Sequence, residues 1–132
     1  MRYDLDLANV VCSEQGFPIV QARDRLEVSL SKDAVLCIQN SEREEDCLIG
    51  FKDTPWHTHN DFMFVDPRGR YTEMSYLDVL AGLGDGSILV CELRSLGAIE
   101  DRWLIHREYN DEYTNMQLSD QIVVFRAAKS CA

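Results

Sequence analysis

Two apolar runs, Ala34-Val35-Leu36-Cys37-Ile38 and Cys47-Leu48-Ile49-Gly50-Phe51, enclose the polar stretch Asn40-Ser41-Glu42-Arg43-Glu44-Glu45-Asp46. Short runs rich in β-branched and aromatic residues on either side of a polar turn read as a β-hairpin, here with a charged tip. Upstream, Leu26, Val28 and Leu30 alternate with Glu27 and Ser29, the two-residue period of a half-buried strand. Downstream, Phe62-Met63-Phe64-Val65 runs into Asp66-Pro67-Arg68-Gly69, with Pro second and Gly fourth as type I turn geometry prefers, and the chain returns through Arg70 and Tyr71. Ser87 to Leu93, Trp103 to His106 and Gln121 to Phe125 complete the strand signals, with Gly97 near the bend between the first two.

Helical spacing occurs twice. Tyr3, Leu7, Val10 and Val11 predict a helix over about Asp4 to Gln15, closed by a left-handed Gly16. Ser75 reads as an N-cap with Asp78 three residues on, and Tyr76, Val79, Leu80 and Leu83 predict a helix over 76–83. Residues 110–119 fit either a short helix or a loop, and the last few residues are expected to fray. Two helices and about six or seven short strands, mostly in hairpins and without strand–helix–strand alternation, predict one α+β domain with a mainly antiparallel sheet. The 132 residues, 45% apolar and 27% charged, are of ordinary single-domain size and composition.

Charge is the departure from average. Thirteen Lys and Arg against 23 Asp and Glu give −10 at pH 7, a surface that repels nucleic-acid phosphates and anionic lipid. No apolar run approaches the ~18 residues of a membrane span, and acids stand where a signal peptide carries positive charge. Five cysteines, Cys12, Cys37, Cys47, Cys91 and Cys131, form no C-x-x-C pair. That argues against a disulfide scaffold and for a cytoplasmic protein with reduced thiols.

Catalytic motifs are not complete. Gly82-Leu83-Gly84-Asp85-Gly86 follows a helix, whereas phosphate-binding glycine loops follow a strand; there is no G-x-S-x-G, and pairs among so many carboxylates carry little information. Three histidines remain. In an extended chain His57, His59 and Asp61 share a face, and His106 can supply a third ligand, so one divalent transition metal held by His57, His59 and His106 is the alternative to a protein without cofactor. His57-Thr58-His59 and His106-Arg107-Glu108-Tyr109-Asn110 resemble the two metal-ligand elements of cupin barrels. No Glu follows His59 closely and no Pro-x-Gly precedes His106, so the resemblance does not make the chain a member.

The remaining candidates form a binding surface. Glu42, Glu44, Glu45 and Asp46 make one acidic run; Trp103, Tyr109 and Tyr113 interleave with Glu108, Asp111 and Glu112 in a second. Carboxylates supply steering and Arg pairing while aromatic rings supply buried area. The expected function is binding a basic protein partner, such as a toxin neutralised by an immunity- or antitoxin-type inhibitor, with no direct contact to nucleic acid or membrane. A free strand edge can also pair two copies into a homodimer.

Overall fold

The computed structural model describes residues 1–66, 68–109 and 120–128. In chain order the elements are α1 (Leu5–Glu14), β1 (Ile19–Ala22), β2 (Arg25–Ser29), β3 (Val35–Gln39), β4 (Leu48–Phe51), β5 (His57–Thr58), β6 (Phe62–Val65), β7 (Tyr71–Met74), α2 (Tyr76–Asp85), β8 (Ile88–Ser95), β9 (Ala98–His106) and β10 (Asp120–Phe125). A 3-10 turn, Glu44–Asp46, lies between β3 and β4. The protein is a mixed α+β domain with antiparallel sheets, as the hairpin pattern predicts. The described residues hold ten strands where about six or seven were expected; β1 and β5 are the two with no strand signal in the sequence.

Local chemistry sets the helix ends. Asp4 caps α1 by accepting the Leu7 N–H at 3.0 Å, and Gly16, at φ 86°, takes the left-handed conformation that closes it. Ser75 caps α2 by accepting the Asp78 N–H at 3.1 Å. Between β6 and β7, the Gly69 N–H donates to the Asp66 carbonyl at 2.9 Å, closing the turn foreseen from its sequence.

β1 to β5 form a five-stranded meander in chain order, β8 lies between β10 and β9, and β6 pairs with β7. Register divides the side chains of the meander. Leu26, Ile38 and Ile49 lie abreast, as do Val28, Leu36 and Phe51, and these point inward to a core shared with Leu5, Ala8 and Cys12 of α1 and Val79, Leu80 and Leu83 of α2. Glu27, Cys37, Gly50 and His57 also lie abreast, on the outer face. A second, smaller core of Cys91, Trp103 and Ile105 packs beneath the opposite face of β8 and β9, and Trp56 touches both cores.

Two buried carboxylates tie the hairpins together. Asp66 accepts the backbone N–H groups of Arg68 and Arg70 and the Arg70 Nε–H at 2.7 Å. Those bonds, the Arg70 N–H foremost, hold its carboxyl below the usual aspartate range. Burial pushes the Glu92 carboxyl up, but Arg102 and Arg94 outweigh it and the net shift is downward. Both groups are therefore ionised in the folded state at pH values where the unfolded chain begins to bind protons. Their stabilisation is complete above the ordinary carboxylate pKa of about 4 and disappears as pH falls through the lowered folded-state values. Calorimetry across a pH series is expected to show a melting temperature that is level near neutrality and falls in acid, less steeply in Asp66→Asn.

Candidate functional site: an acidic pole beside a histidine-walled cleft

The acidic run occupies one end of the meander. Glu42, Glu44, Glu45 and Asp46 are all exposed, and the 3-10 turn starts without a side-chain cap. Arg43 pairs with Glu45 at 2.9 Å and reaches Asp46 at 3.9 Å, whereas Glu42 and Glu44 have no ion-pair partner among the described residues. Ion pairs this exposed contribute about 0–1 kcal/mol to stability; the Met1 ammonium, 3.4 Å from the Glu44 carbonyl, and Arg2 also lie against the run.

Hydrogen bonds with the N-terminal residues hold the run in place. Buried Asn40 donates through Nδ2 to the Tyr3 carbonyl at 2.8 Å and accepts the Tyr3 N–H through Oδ1 at 2.9 Å. Its amide thus completes the backbone pairing that Tyr3 lacks. Arg2 adds a guanidinium bond to the Ser41 carbonyl at 2.6 Å, and Asp4 N–H and Tyr76 N–H donate to Tyr76 Oη and Asp61 Oδ1, both near 2.9 Å or shorter. Asp4 and Asp61 thereby join the same pole. Burial, with the Asp61 charge next, pushes the Tyr3 hydroxyl up to about 12. Asn40→Ala leaves two buried backbone groups unpaired and is expected to cost about 1–3 kcal/mol in urea unfolding.

The histidines divide two to one. His57 Nδ1 lies 2.9 Å from the Pro55 carbonyl and His59 Nδ1 2.8 Å from the Cys47 carbonyl, with ring centroids 5.0 Å apart. A carbonyl only accepts, so both Nδ1 atoms carry hydrogen, and Nε2 of each ring stays outside these bonds. His106 is arranged the other way. Its Nδ1 accepts the Glu108 N–H at 3.1 Å, and its ring sits between Phe64 and Tyr109. The first pair offers two imidazole donors; among the described residues no group of three or more His, Cys, Asp or Glu side chains is placed to hold a metal ion.

His57 also walls a cleft of about 250 Å³ on the outer face of the meander. Arg25, Cys37 and Gly50 form its floor; the segment from Lys52 to Trp56 folds over as its roof. Asp53 turns that segment at φ 72°, in the left-handed region that Asp and Asn tolerate best. Gly50 is required by close approach: a Cβ there would meet the Trp56 carbonyl oxygen at 2.7 Å and His57 Cβ at 3.0 Å. Cys37 is only 5% exposed and accepts from Arg25 Nη2 at 3.2 Å. Arg25 and Lys52 both bridge to Glu27, at 3.2 and 3.3 Å.

No family model, curated protein or solved structure gives a significant match to this chain. The site therefore rests on its own geometry.

Of the second expected surface, Trp103, Glu108 and Tyr109 fall among the described residues. Trp103 is 8% exposed, its indole packed in the smaller core, and this corrects its assignment to a partner-binding face. Tyr109 is half-buried against the main core and His106; Glu108 is exposed, 4.0 Å from Arg107. Asp111, Glu112 and Tyr113 lie outside the described residues. Cys12, Cys37, Cys47 and Cys91 are buried, the first three without a disulfide, and burial pushes the Cys12 thiol up to about 12. No helix among the described residues is long and apolar enough to cross a membrane.

Proposed function

We propose that this chain is a non-catalytic, acidic, cytoplasmic protein that binds a basic macromolecular partner and neutralises or escorts it, as an immunity- or antitoxin-type inhibitor of a toxin does. The observation that carries this reading is the pole: an exposed acidic run in which Glu42 and Glu44 have no ion-pair partner among the described residues, held in place by the buried Asn40–Tyr3 bonds. An exposed charge on a fixed backbone presents a defined potential to a partner without an ordering cost at the moment of binding. A toxin that acts on nucleic acid must itself present positive charge. An inhibitor of opposite sign gains association rate and covers the working surface.

The test is capture from the source lysate on immobilised protein, wild type against a bait carrying Glu44→Lys, Glu45→Lys and Asp46→Lys. The expected result is a basic protein held by the wild type at low salt, lost near ~1 M salt where screening shortens to about 3 Å, and not held by the reversed bait. Recovery of only another copy of the chain, or capture indifferent to salt, overturns the reading.

A further inference from the structure

The two helices lie side by side and run the same way. At their starts the Asp4 N–H donates to Tyr76 Oη at 2.9 Å, and the Tyr3 and Tyr76 rings meet with centroids 4.8 Å apart. Towards their ends the Gln15 amide donates to the Val11 carbonyl of α1 and the Leu80 carbonyl of α2, at 3.0 and 2.8 Å. Gly84 makes that clasp possible, since a Cβ there would collide with Gln15 Oε1. Beside the clasp a groove of about 410 Å³ opens between the helices, lined by Val11, Glu14, Gln15, Ala81, Gly84 and Asp85.

Surface helices normally turn polar side chains to water. α1 departs from this at Leu7 and Val10, which are 45% and 50% exposed; with half-buried Val11 and exposed Glu14 they share one face at three- and four-residue spacing. From α2, half-buried Leu77 and exposed Ala81 extend the apolar strip on the other side of the groove. Single exposed apolar residues are ordinary, whereas a contiguous strip with a charged margin marks a docking surface. Here the margin is acidic. Neither helix contains Lys or Arg, and Glu14, Asp78 and Asp85 stand exposed along it. Arg126, which donates to the Gly84 carbonyl at 2.6 Å, and Arg107 offset the charge of Asp85. Glu14 and Asp78 therefore carry the margin, and at the other end Asp4 and Asp61 join it to the pole.

We propose that this groove seats an amphipathic helix of the basic partner, with an apolar stripe against Leu7, Val10, Val11 and Ala81 and Lys or Arg side chains over Glu14 and Asp78. The inference rests on the reading above that the partner is basic. The occupant is helical because α1 and α2 pair their backbone groups within themselves along the groove, so an incoming segment must satisfy its own. A second copy of this chain would bring acid against acid.

The experiment is titration of the full chain, followed by amide shifts in 1H–15N spectra, with synthetic helical peptides of about 14 residues, or about four turns. One carries a Leu stripe on a Lys background, the second has Ser in place of Leu, and the third has Glu in place of Lys. Saturable shifts centred on Val11, Ala81 and Gly84, with a Kd of about 100 μM or tighter for the Leu/Lys peptide and at least about tenfold weaker for the other two, support the proposal. Leu7→Gln with Val10→Gln should weaken the Leu/Lys peptide about tenfold, and so should Ala81→Lys. If the double variant disturbs α1, Ala81→Lys, at an exposed position of α2, decides. Absence of saturable shifts, shifts centred elsewhere, either control peptide matching Leu/Lys, self-association of the chain through the same amides, or undiminished binding to a folded Ala81→Lys variant overturns it. The two readings fail separately. A basic protein captured by an Ala81→Lys bait as firmly as by wild type overturns the groove and leaves the pole, whereas groove-centred peptide binding with no basic protein captured overturns the pole and leaves the groove.

Discussion

Arg102→Ala is expected to lower the unfolding free energy by about 3 kcal/mol, the lower end of the cost of removing one partner from a buried ion pair. Glu92 is 3% exposed and Arg102 5%, and the Nε–Oε2 distance between them is 2.6 Å. The two stand directly across β8 and β9. Deleting the guanidinium leaves a carboxylate that is 3% exposed in the folded chain, with Arg94 alone among the described residues, at 2.8 Å and partly exposed, still donating to it. That residual bond places the expected cost near the bottom of the range. Arg94→Ala, at the wetter end of the same cluster, should cost about 1 kcal/mol or less. Replacing both buried partners, Glu92→Leu with Arg102→Met, should recover most of the loss, because the desolvated charge is then gone altogether. Urea unfolding of the four proteins at neutral pH measures the series. An Arg102→Ala cost no larger than that of Arg94→Ala would show that Glu92 is not dependent on its buried partner.

The same contrast between local and distant causes explains what was legible in the sequence. Helix ends were legible because Asp4, Gly16 and Ser75 act on neighbours within a few residues, and so was the Asp66–Gly69 turn. β1 was not, since it is an edge strand with three of its four residues exposed and no alternation to report it. β5 is two residues long and exists through its pairing with Ile49 and Gly50, which no local pattern encodes. Trp103 was misplaced because β9 changes character along its length. Its first residues are alternately exposed and half-buried, as a surface strand's would be, whereas Arg102 to Ile105 are buried on both faces, one over the main core and one over the smaller.

The site follows the same rule. Glu42 to Asp46 read as a charged turn from composition alone, but the Asn40–Tyr3 bonds that hold it join residues far apart in the chain. An Asn heading an acidic stretch was the one available signal, and it suits many turns equally well. The cleft needs three strands in register, a glycine in the middle one and a loop folded over them, so its residues carry no common sequence mark. The pairing of His57 with His59 was foreseen, whereas the reversed hydrogen bonding of His106 follows from the backbone N–H of Glu108, which a residue list does not show.

Reversing Glu44, Glu45 and Asp46 to Lys together is expected to slow association with the captured basic partner by at least about tenfold at low ionic strength, within the ~10–10³ range that electrostatic steering contributes. The three side chains are exposed and the ion pairs of Glu45 and Asp46 with Arg43 are superficial, so stability should change little. Surface substitutions away from special features usually stay within about 0.5 kcal/mol each, and the melting temperature should move by only a few degrees. Long-range attraction is screened by salt and short-range packing is not. The gap between wild-type and reversed association rates should therefore narrow steadily as salt rises, while dissociation rates remain closer together. Stopped-flow or surface-binding kinetics over a salt series separates these effects. An association rate untouched by the reversal, or a deficit that persists unchanged at high salt, would mean that the pole does not steer the encounter and that the excess of carboxylates serves some other end.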